Sequence, residues 1–193
     1  LDCFRFILSQ NKDLLNYCNK NEYPFKVAVI NNNNEIAELV LSEKPSLSRE
    51  QISECIYIAI DNNNTELISC FIKYGLIEEK SISYLEYALK KHSEGVSRIL
   101  LKYLKLSNEE KVKIFFLCLK ENVDSISLFF IEHNFPVNIV NDNHETPLHI
   151  ACKNGNKSVV KALLARDDIK LNILDNRRKS ALQRSIEGSF KDI

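Results

Sequence analysis

The chain has 193 residues with 26 basic and 26 acidic side chains, and 45% of it is hydrophobic. This balance excludes a disordered segment and suffices for one or two domains or for one array of repeats. Zero formal net charge argues against general binding to nucleic acids or membrane surfaces. No apolar run approaches the roughly 18 residues of a membrane span, and the opening LDCFRFILSQ lacks the features of a signal peptide.

The cysteine pattern indicates the redox setting. Six cysteines are scattered without a CxxC pair, at Cys3, Cys18, Cys55, Cys70, Cys118 and Cys152. In a chain this apolar, that scatter predicts reduced, buried thiols and a cytoplasmic location, in the source cell or in a host cell if the protein is a secreted effector. The sequence begins with leucine and contains no methionine, so we expect it to be a piece cut from a longer protein.

One pattern repeats along the whole chain. A small residue recurs at intervals of about 30 residues, at Ala28, Ala59, Ala88, Cys118, Ala151 and Ser185. An apolar residue stands eight positions after each of them, at Ile36, Leu67, Val96, Ile126, Val159 and Ile193. An apolar triplet then follows at Leu39-Val40-Leu41, Cys70-Phe71-Ile72, Ile99-Leu100-Leu101, Phe129-Phe130-Ile131 and Ala162-Leu163-Leu164.

The spacing predicts paired helices. Apolar residues at i, i+3 and i+4 mark one helix face, so each unit is predicted to be two short antiparallel helices joined by a tight turn. The first, inner helix carries the small residue because neighbouring inner helices approach closely. The second, outer helix carries the triplet that fills the layer between units. One pair cannot bury its apolar stripe, whereas a stack of pairs can.

The predicted elements follow one another as a single array over residues 1–193, truncated at both ends. A partial outer helix at 1–10 precedes units at about 23–44, 48–76, 81–105, 108–140 and 141–174, and a partial unit at 175–193 closes the array. The asparagine runs at 31–34 and 62–64 fall in the turns of the first two units, where asparagine tolerates left-handed backbone angles and caps the following helix. Ser48 with Gln51, and Ser107 with Glu110, match a capping box.

The fifth unit carries a specific motif. At 141–172 it contains TPLHxA, as Thr146, Pro147, Leu148, His149 and Ala151, followed by a turn glycine at Gly155. This segment resembles an ankyrin repeat, and the two-helix register extends the resemblance over nearly the whole chain. The first three units lack the motif, and we expect their fingers to be shortened or replaced by an earlier helix start.

The resemblance implies a fold and a local contact. The fold is all-α, an α-solenoid of stacked helix-turn-helix ankyrin-like repeats with short β-hairpin fingers mainly in the C-terminal third. Thr146 and His149 are expected to hydrogen-bond one another and the adjoining backbone.

The resemblance also implies where a partner binds, namely at the hairpin tips and at the ends of the inner helices. At the tips the register gives Asp142, Asn143, Glu145, Asn176, Arg177 and Lys179. At the inner-helix ends it gives Lys90, Lys91, Lys120, Glu121, Lys153 and Asn154. Several of these residues are basic, and we hypothesise that the C-terminal half engages an acidic segment of a partner. The alternative is a solvated lysine-rich face without a partner.

The sequence favours binding over chemistry. His144, His149 and Cys152 are of metal-ligand type, but His149 belongs to the repeat motif and Cys152 to a core position, so we expect no metal and no cofactor. No glycine-rich phosphate loop and no nucleophile with a base and orienting partner is evident. We therefore predict a monomeric, non-catalytic protein-interaction module that binds neither nucleic acid nor membrane. The alternative is the substrate- or host-target-recruiting arm of a larger multidomain enzyme or effector.

Overall fold

The computed structural model describes residues 2–16 and 22–187, so Cys18 and Ile193 lie outside the described residues. The chain divides into two compact units, Leu1–Lys105 and Leu106–Ile193, hereafter the first and second units. Each unit is built from helix pairs, and no β-strand occurs in the described ranges. The predicted all-α solenoid architecture is confirmed, while its description as a single array with the repeat boundaries given above stays a prediction.

The first unit contains seven α-helices within its described residues, together with a short 3₁₀ helix at Lys12–Asn16. The α-helices are α1 Asp2–Gln10, α2 Pro24–Ile30, α3 Asn34–Ser42, α4 Arg49–Asp61, α5 Thr65–Lys73, α6 Ile82–Lys90 and α7 Glu94–Tyr103. Inner helices α2, α4 and α6 pack side by side, and outer helices α3, α5 and α7 form a second row. This is the two-layer stack that the repeat period predicts.

The second unit repeats the arrangement. Its described helices are α8 Asn108–Lys120, α9 Asp124–Glu132, α10 Pro147–Asn154, α11 Lys157–Leu164 and α12 Ala181–Glu187. Inner helix α10 lies between α8 and α12, and outer helix α11 packs against α9.

The small residues of the pattern lie where inner helices meet. Ala59, Ala88 and Cys118 are fully buried, and Ser185 is nearly so. The middle residue of every triplet is buried as well. The triplets are not wholly core, however, because Phe129 and Leu164 keep a substantial exposed fraction. Only one face of a helix can point into the layer.

The inner-to-outer turns use one left-handed residue each. Four positions after each small residue the backbone has positive φ, at Asn32, Asn63, His92, Asn122 and Gly155. The next residue is the N-cap of the outer helix, and as N-caps Asn33, Asn64 and Asn156 accept a hydrogen bond from the backbone N–H three residues on. The asparagine runs are therefore turn and capping residues.

Two inner helices, α4 and α8, begin early. Of the first three units, for which an earlier start is expected, only the one with α4 shows it, because α2 and α6 have 7 and 9 residues. Helices α4 and α8 have 13 residues each, against 8 for α10. Each of the longer helices starts at a complete capping box, Ser48 with Gln51 and Ser107 with Glu110. The reciprocal bonds satisfy two backbone N–H groups that a helix start otherwise leaves without partners.

The predicted β-hairpin fingers are not confirmed. Where the sequence places them, the described residues form two tight turns, at 141–145 and 175–179. Each turn is closed by two backbone bonds. In the first, Asn141 N donates to Glu145 O at 3.1 Å and His144 N to Asn141 O at 2.8 Å; in the second, Asp175 N donates to Lys179 O at 3.0 Å and Arg178 N to Asp175 O at 2.8 Å. Below we call them the first tip and the second tip. Side chains add further hydrogen bonds within each turn, so no ladder of strand pairs is needed.

Candidate functional site

A groove of about 460 Å³ opens in the second unit between the inner-helix face of α8, the first tip and α10. Its lining combines lysines, amides and apolar side chains. These residues are Lys113, Phe116, Leu117, Lys120, Asn141, Asn143, Glu145, Ile150, Lys153 and Asn154.

Helix α8 presents one continuous face to the groove. Lys113, Phe116, Leu117 and Lys120 are spaced i, i+3, i+4 and i+7, which places them on the same side of a helix. Phe116 and Leu117 are half-buried, whereas both lysines are exposed. The floor is therefore apolar and a cation stands at each end of it.

The first tip is held rigid by the Asn141 side chain. Its Oδ1 accepts hydrogen bonds from Asn143 N at 3.0 Å and Glu145 N at 2.9 Å, and its Nδ2 donates to Glu145 Oε2 at 3.1 Å. His144 completes the turn with φ 59°. The first tip forms one wall of the groove, and because it is already fixed by these bonds it loses little conformational entropy when a ligand binds.

Charge in the groove is predominantly positive. Glu145 is only 7% exposed, and its Oε1 lies 3.9 Å from Lys153 Nζ. Lys113 and Lys120 form no ion pair with any residue in 2–16 or 22–187. Three lysines therefore face a single, largely buried carboxylate, which leaves the groove suited to anionic groups.

The second tip is built like the first, with an ion pair added. Asp175 Oδ1 accepts from Arg177 N at 2.8 Å and Lys179 N at 3.0 Å. Its Oδ2 accepts from Arg184 Nε at 2.6 Å, and both side chains are buried. Burial alone raises the pKa of Asp175. The hydrogen bonds from Lys179 N–H, Arg184 and Arg177 N–H, with the Arg184 charge, outweigh burial and hold the pKa below its ordinary value.

The two tips are also bonded to each other. Asn176 N donates to Asn143 O at 3.0 Å, and Asn176 Nδ2 donates to Asp142 O at 3.2 Å. Lys179 pairs with Glu187 of α12. The tips are thus one preorganised edge beside the groove.

The motif residues connect α10 to the second tip. Thr146 Oγ1 lies 2.7 Å from His149 Nδ1, and His149 Nε2 lies 3.1 Å from Lys179 O. Because a carbonyl oxygen only accepts, Nε2 carries the proton and Nδ1 accepts from the Thr146 hydroxyl and from Thr146 N at 3.2 Å. Both ring nitrogens are occupied, as the resemblance implied.

The structure distributes the twelve candidate residues over the groove, the end of α8, the two tips and the first unit. Five of them line the groove: Lys120, Asn143, Glu145, Lys153 and Asn154. Glu121 caps the C-terminus of α8, Asp142 lies on the first tip, and Asn176, Arg177 and Lys179 lie on the second tip.

Lys90 and Lys91 belong to the first unit, where Lys90 is exposed at the end of α6. Lys91 is engaged locally, because its Nζ lies 3.2 Å from Asp61 Oδ1 and 5.2 Å from the centre of the Tyr87 ring. Contacts with Tyr87 and Asp61 raise the pKa of Lys91. Its charge is therefore already partly matched within the unit.

Sequence reasoning missed half of the groove, namely Lys113, Phe116, Leu117, Asn141 and Ile150. The signal for α8 was present, because Lys113 to Lys120 spans two turns of one helix face. The prediction did not include this face because the ankyrin resemblance points to helix ends and tips, and because Phe116 and Leu117 have the same pattern as core residues. Asn141 positions the first tip through hydrogen bonds that its sequence context does not reveal.

The predicted burial of the cysteines holds for Cys55, Cys118 and Cys152, whereas Cys70 is partly buried and Cys3 is exposed. Four of these thiols are poorly suited to nucleophilic chemistry. Burial raises the pKa of Cys118 to about 12 and the pKa values of Cys55, Cys70 and Cys152 to about 11. Within residues 2–16 and 22–187, no three His, Cys, Asp or Glu side chains cluster in a way that could hold a metal ion. In the same ranges, no helix has both the length and the apolarity to cross a membrane.

Comparison with known proteins defines the class. Residues 114–193 match the sequence model of the family described as ankyrin repeats (3 copies). The ankyrin repeat domain of Bcl-3, described as a unique member of the IkappaB protein family, superposes with a TM-score of 0.67 at 15% identity, covering 97% of this chain and 90% of that one. The human ASB11 ankyrin repeat domain gives 0.63 at 14% identity, over 94% and 85%.

No curated protein matches the chain. At these identities the two structures establish the fold alone. Residues 114–193 thus match ankyrin repeats by sequence, and the chain as a whole has the ankyrin-repeat fold.

Proposed function

We propose that this chain is a non-catalytic protein-interaction module that holds its partner on the inner-helix face and tips of the second unit. The groove between α8, the first tip and α10 carries the proposal. It combines an apolar floor, exposed lysines and a turn fixed by hydrogen bonds, which are the ingredients of a preorganised protein-binding surface. Ankyrin-repeat proteins in general bind other proteins in this way.

The partner is an acidic segment of another protein. Lys113, Lys120 and Lys153 face the groove with only Glu145 opposite them, and Arg177 adds a cation at the second tip. Complementary charge of this kind speeds association and selects among partners. The module acts as a monomer in a reduced, cytoplasmic setting, consistent with its free cysteines, of which Cys55, Cys118 and Cys152 are buried. Neither nucleic acid nor membrane is its target.

The same groove would serve the alternative, in which the module recruits a substrate or host target for a larger enzyme or effector. The two functions differ in what adjoins the module in the full-length protein, and the binding chemistry is common to both.

Charge reversal tests the proposal. The triple change Lys120→Glu, Lys153→Glu and Arg177→Glu should abolish capture of the partner, because it turns the groove and the second tip acidic. Capture by the immobilised chain, with identification by mass spectrometry, measures the loss. The melting temperature should not change, since all three side chains are exposed.

The matched control is Lys157→Glu with Lys161→Glu, two exposed lysines on outer helix α11. Capture should survive this change. Equal capture by the parent and by the triple variant would refute binding at this face, and equal loss in both variants would reduce it to general charge attraction.

A further inference from the structure

We propose that the groove of the second unit is shaped for an extended acidic segment carrying one large apolar side chain, with carboxylates before and after it. This inference rests on the proposed function and names the chemistry of the partner. The apolar side chain of the partner binds to the apolar floor, which we call the anchor site, and the flanking lysines pair with the partner's carboxylates.

The anchor site is formed by three apolar side chains from two helices. Phe116 and Leu117 project from α8, and Ile150 projects from α10 on the opposite side of the groove. The two α8 residues remain half-exposed although they lie in a concave site. A large aromatic or branched side chain placed between the helices would cover this surface, and such anchors dominate the energetics of protein interfaces.

The lysines bracket that floor along α8. Lys113 lies one turn before Phe116, and Lys120 lies about one turn after Leu117. At about 1.5 Å per residue, the two lysines are on the order of 10 Å apart along the helix axis. An extended chain rises about 3.3 Å per residue. Side chains two positions apart lie on the same side of an extended chain, so carboxylates two positions before and after the anchor, about 13 Å apart, face the two flexible lysine side chains.

Of the three lysines in the groove, Lys153 should attract a carboxylate of the partner least strongly. Its ammonium already lies 3.9 Å from Glu145, which offsets part of its charge and repels a second carboxylate. Lys113 and Lys120 have no such neighbour among the described ion pairs, so the acid preference should depend mainly on α8.

The first tip and the end of α10 favour a partner segment with an extended backbone. Asn143 on the first tip and Asn154 at the end of α10 line the groove and offer amide groups to a passing main chain. Asn154 is held in place because its Nδ2 donates to Leu119 O at 3.0 Å. A basic or purely apolar segment would leave the lysines without counter-charges in a partly desolvated site.

Three peptides of equal length separate the contributions. The test peptide has a central phenylalanine with two acidic residues on each side. The second peptide replaces phenylalanine with alanine, and the third replaces the acids with their amides. Fluorescence anisotropy up to millimolar protein should show the test peptide binding at least ~10-fold more tightly than either of the others.

Two variants assign the effects to residues. The double change Lys113→Gln with Lys120→Gln should give the acidic and amide peptides equal affinity. The single change Leu117→Gln should give the phenylalanine and alanine peptides equal affinity. Lys157→Gln on α11 is the control and should change neither ratio. Equal binding of the phenylalanine and alanine peptides to the parent would overturn the anchor while leaving the proposed function intact.

The remaining outcomes are also decisive. If no peptide binds but the charge-reversed triple variant still loses its captured partner, the segment chemistry is wrong and the interaction face is right. If no peptide binds and capture is unaffected by charge reversal, both proposals fail. A fourth peptide carries phosphoserine in place of the acidic residues. If it binds more tightly than the acidic peptide, the groove recognises phosphate rather than carboxylate, and the inference is overturned.

Discussion

At the scale of single residues, short polar side chains shape the turns of this protein. Each inner-to-outer turn needs one residue in the left-handed region, where side chains other than glycine are strained and asparagine is tolerated best. Asn32, Asn63 and Asn122 supply it, while His92 and Gly155 take the same place in their repeats. Asn141 and Asp175 then use side-chain oxygens to fix the two tips. The asparagine-rich composition is thus put to structural use.

The charge of Asp175 contributes to stability through its buried ion pair with Arg184. Asp175→Asn keeps an oxygen acceptor for the second tip, as Asn141 does in the first, but it removes the buried counter-charge of Arg184. We expect a loss of about 3 kcal/mol in the free energy of unfolding at pH 7, the usual size for breaking a buried ion pair. Urea denaturation followed by circular dichroism measures the loss.

The pH dependence follows from the lowered pKa of Asp175. A carboxyl group with a depressed folded-state pKa stabilises the protein above its unfolded pKa of about 3.9, and this stability is lost as pH falls through the folded value. The difference between parent and Asp175→Asn should therefore be full at neutral pH and shrink on acidification. The double variant Asp175→Asn with Arg184→Ile reproduces the Asn141 and Ile150 pair of the preceding repeat and should recover much of the loss. A pH-independent difference would mean that Asp175 is not charged in the folded protein.

At the scale of helices, close packing of the inner row depends on small side chains. Ala88 is fully buried in α6, which packs against inner helix α4. Ala88→Leu should cost about 1–3 kcal/mol, because the added carbons must force α6 away from its neighbours or into strained rotamers. Ser83→Leu adds a larger side chain to an exposed position of the same helix and should change the free energy of unfolding by less than about 0.5 kcal/mol. Equal melting of both variants would place Ala88 outside the inner-helix contact.

The helices were predictable from the sequence, whereas the groove was predictable only in part. A 3.6-residue period with a small residue at fixed phase defines which face is buried, and that information is local. The groove joins α8 to α10 and to the first tip, so its shape depends on tertiary packing. Lys120 and Lys153 were found because they end inner helices, but Phe116 and Ile150 were missed because an apolar residue in a groove has the same sequence signature as one in the core.

The predicted hairpin fingers are a second feature that could be predicted from the sequence only in part. The family motif implies a finger, and the sequence does contain turn residues at 141–145 and 175–179. The structure closes each of those turns with two backbone hydrogen bonds and with the side chain of Asn141 or Asp175, and no strand forms in the described residues. A motif therefore located the turns correctly but overstated their regular structure.

At the scale of the whole molecule, stability in a repeat stack comes from contacts between neighbours, so equivalent residues differ in importance according to what covers them. Leu148 of α10, the helix on which α12 packs, is 4% exposed, whereas the equivalent Leu182 of α12 is 67% exposed. Leu148→Ala should cost about 2–5 kcal/mol, and Leu182→Ala should change the free energy of unfolding by less than about 0.5 kcal/mol. Urea denaturation at low protein concentration compares the two.

The comparison is informative because the chemical change is identical and only the neighbouring helix differs. If both substitutions cost the same, the outer face of α12 is covered in solution, and a concentration dependence of the Leu182→Ala effect would identify a second copy of the chain as the cover. If neither substitution has an effect, α12 does not pack on α10 in solution. The second tip would then lose its support, because Lys179 holds His149 through the same contact.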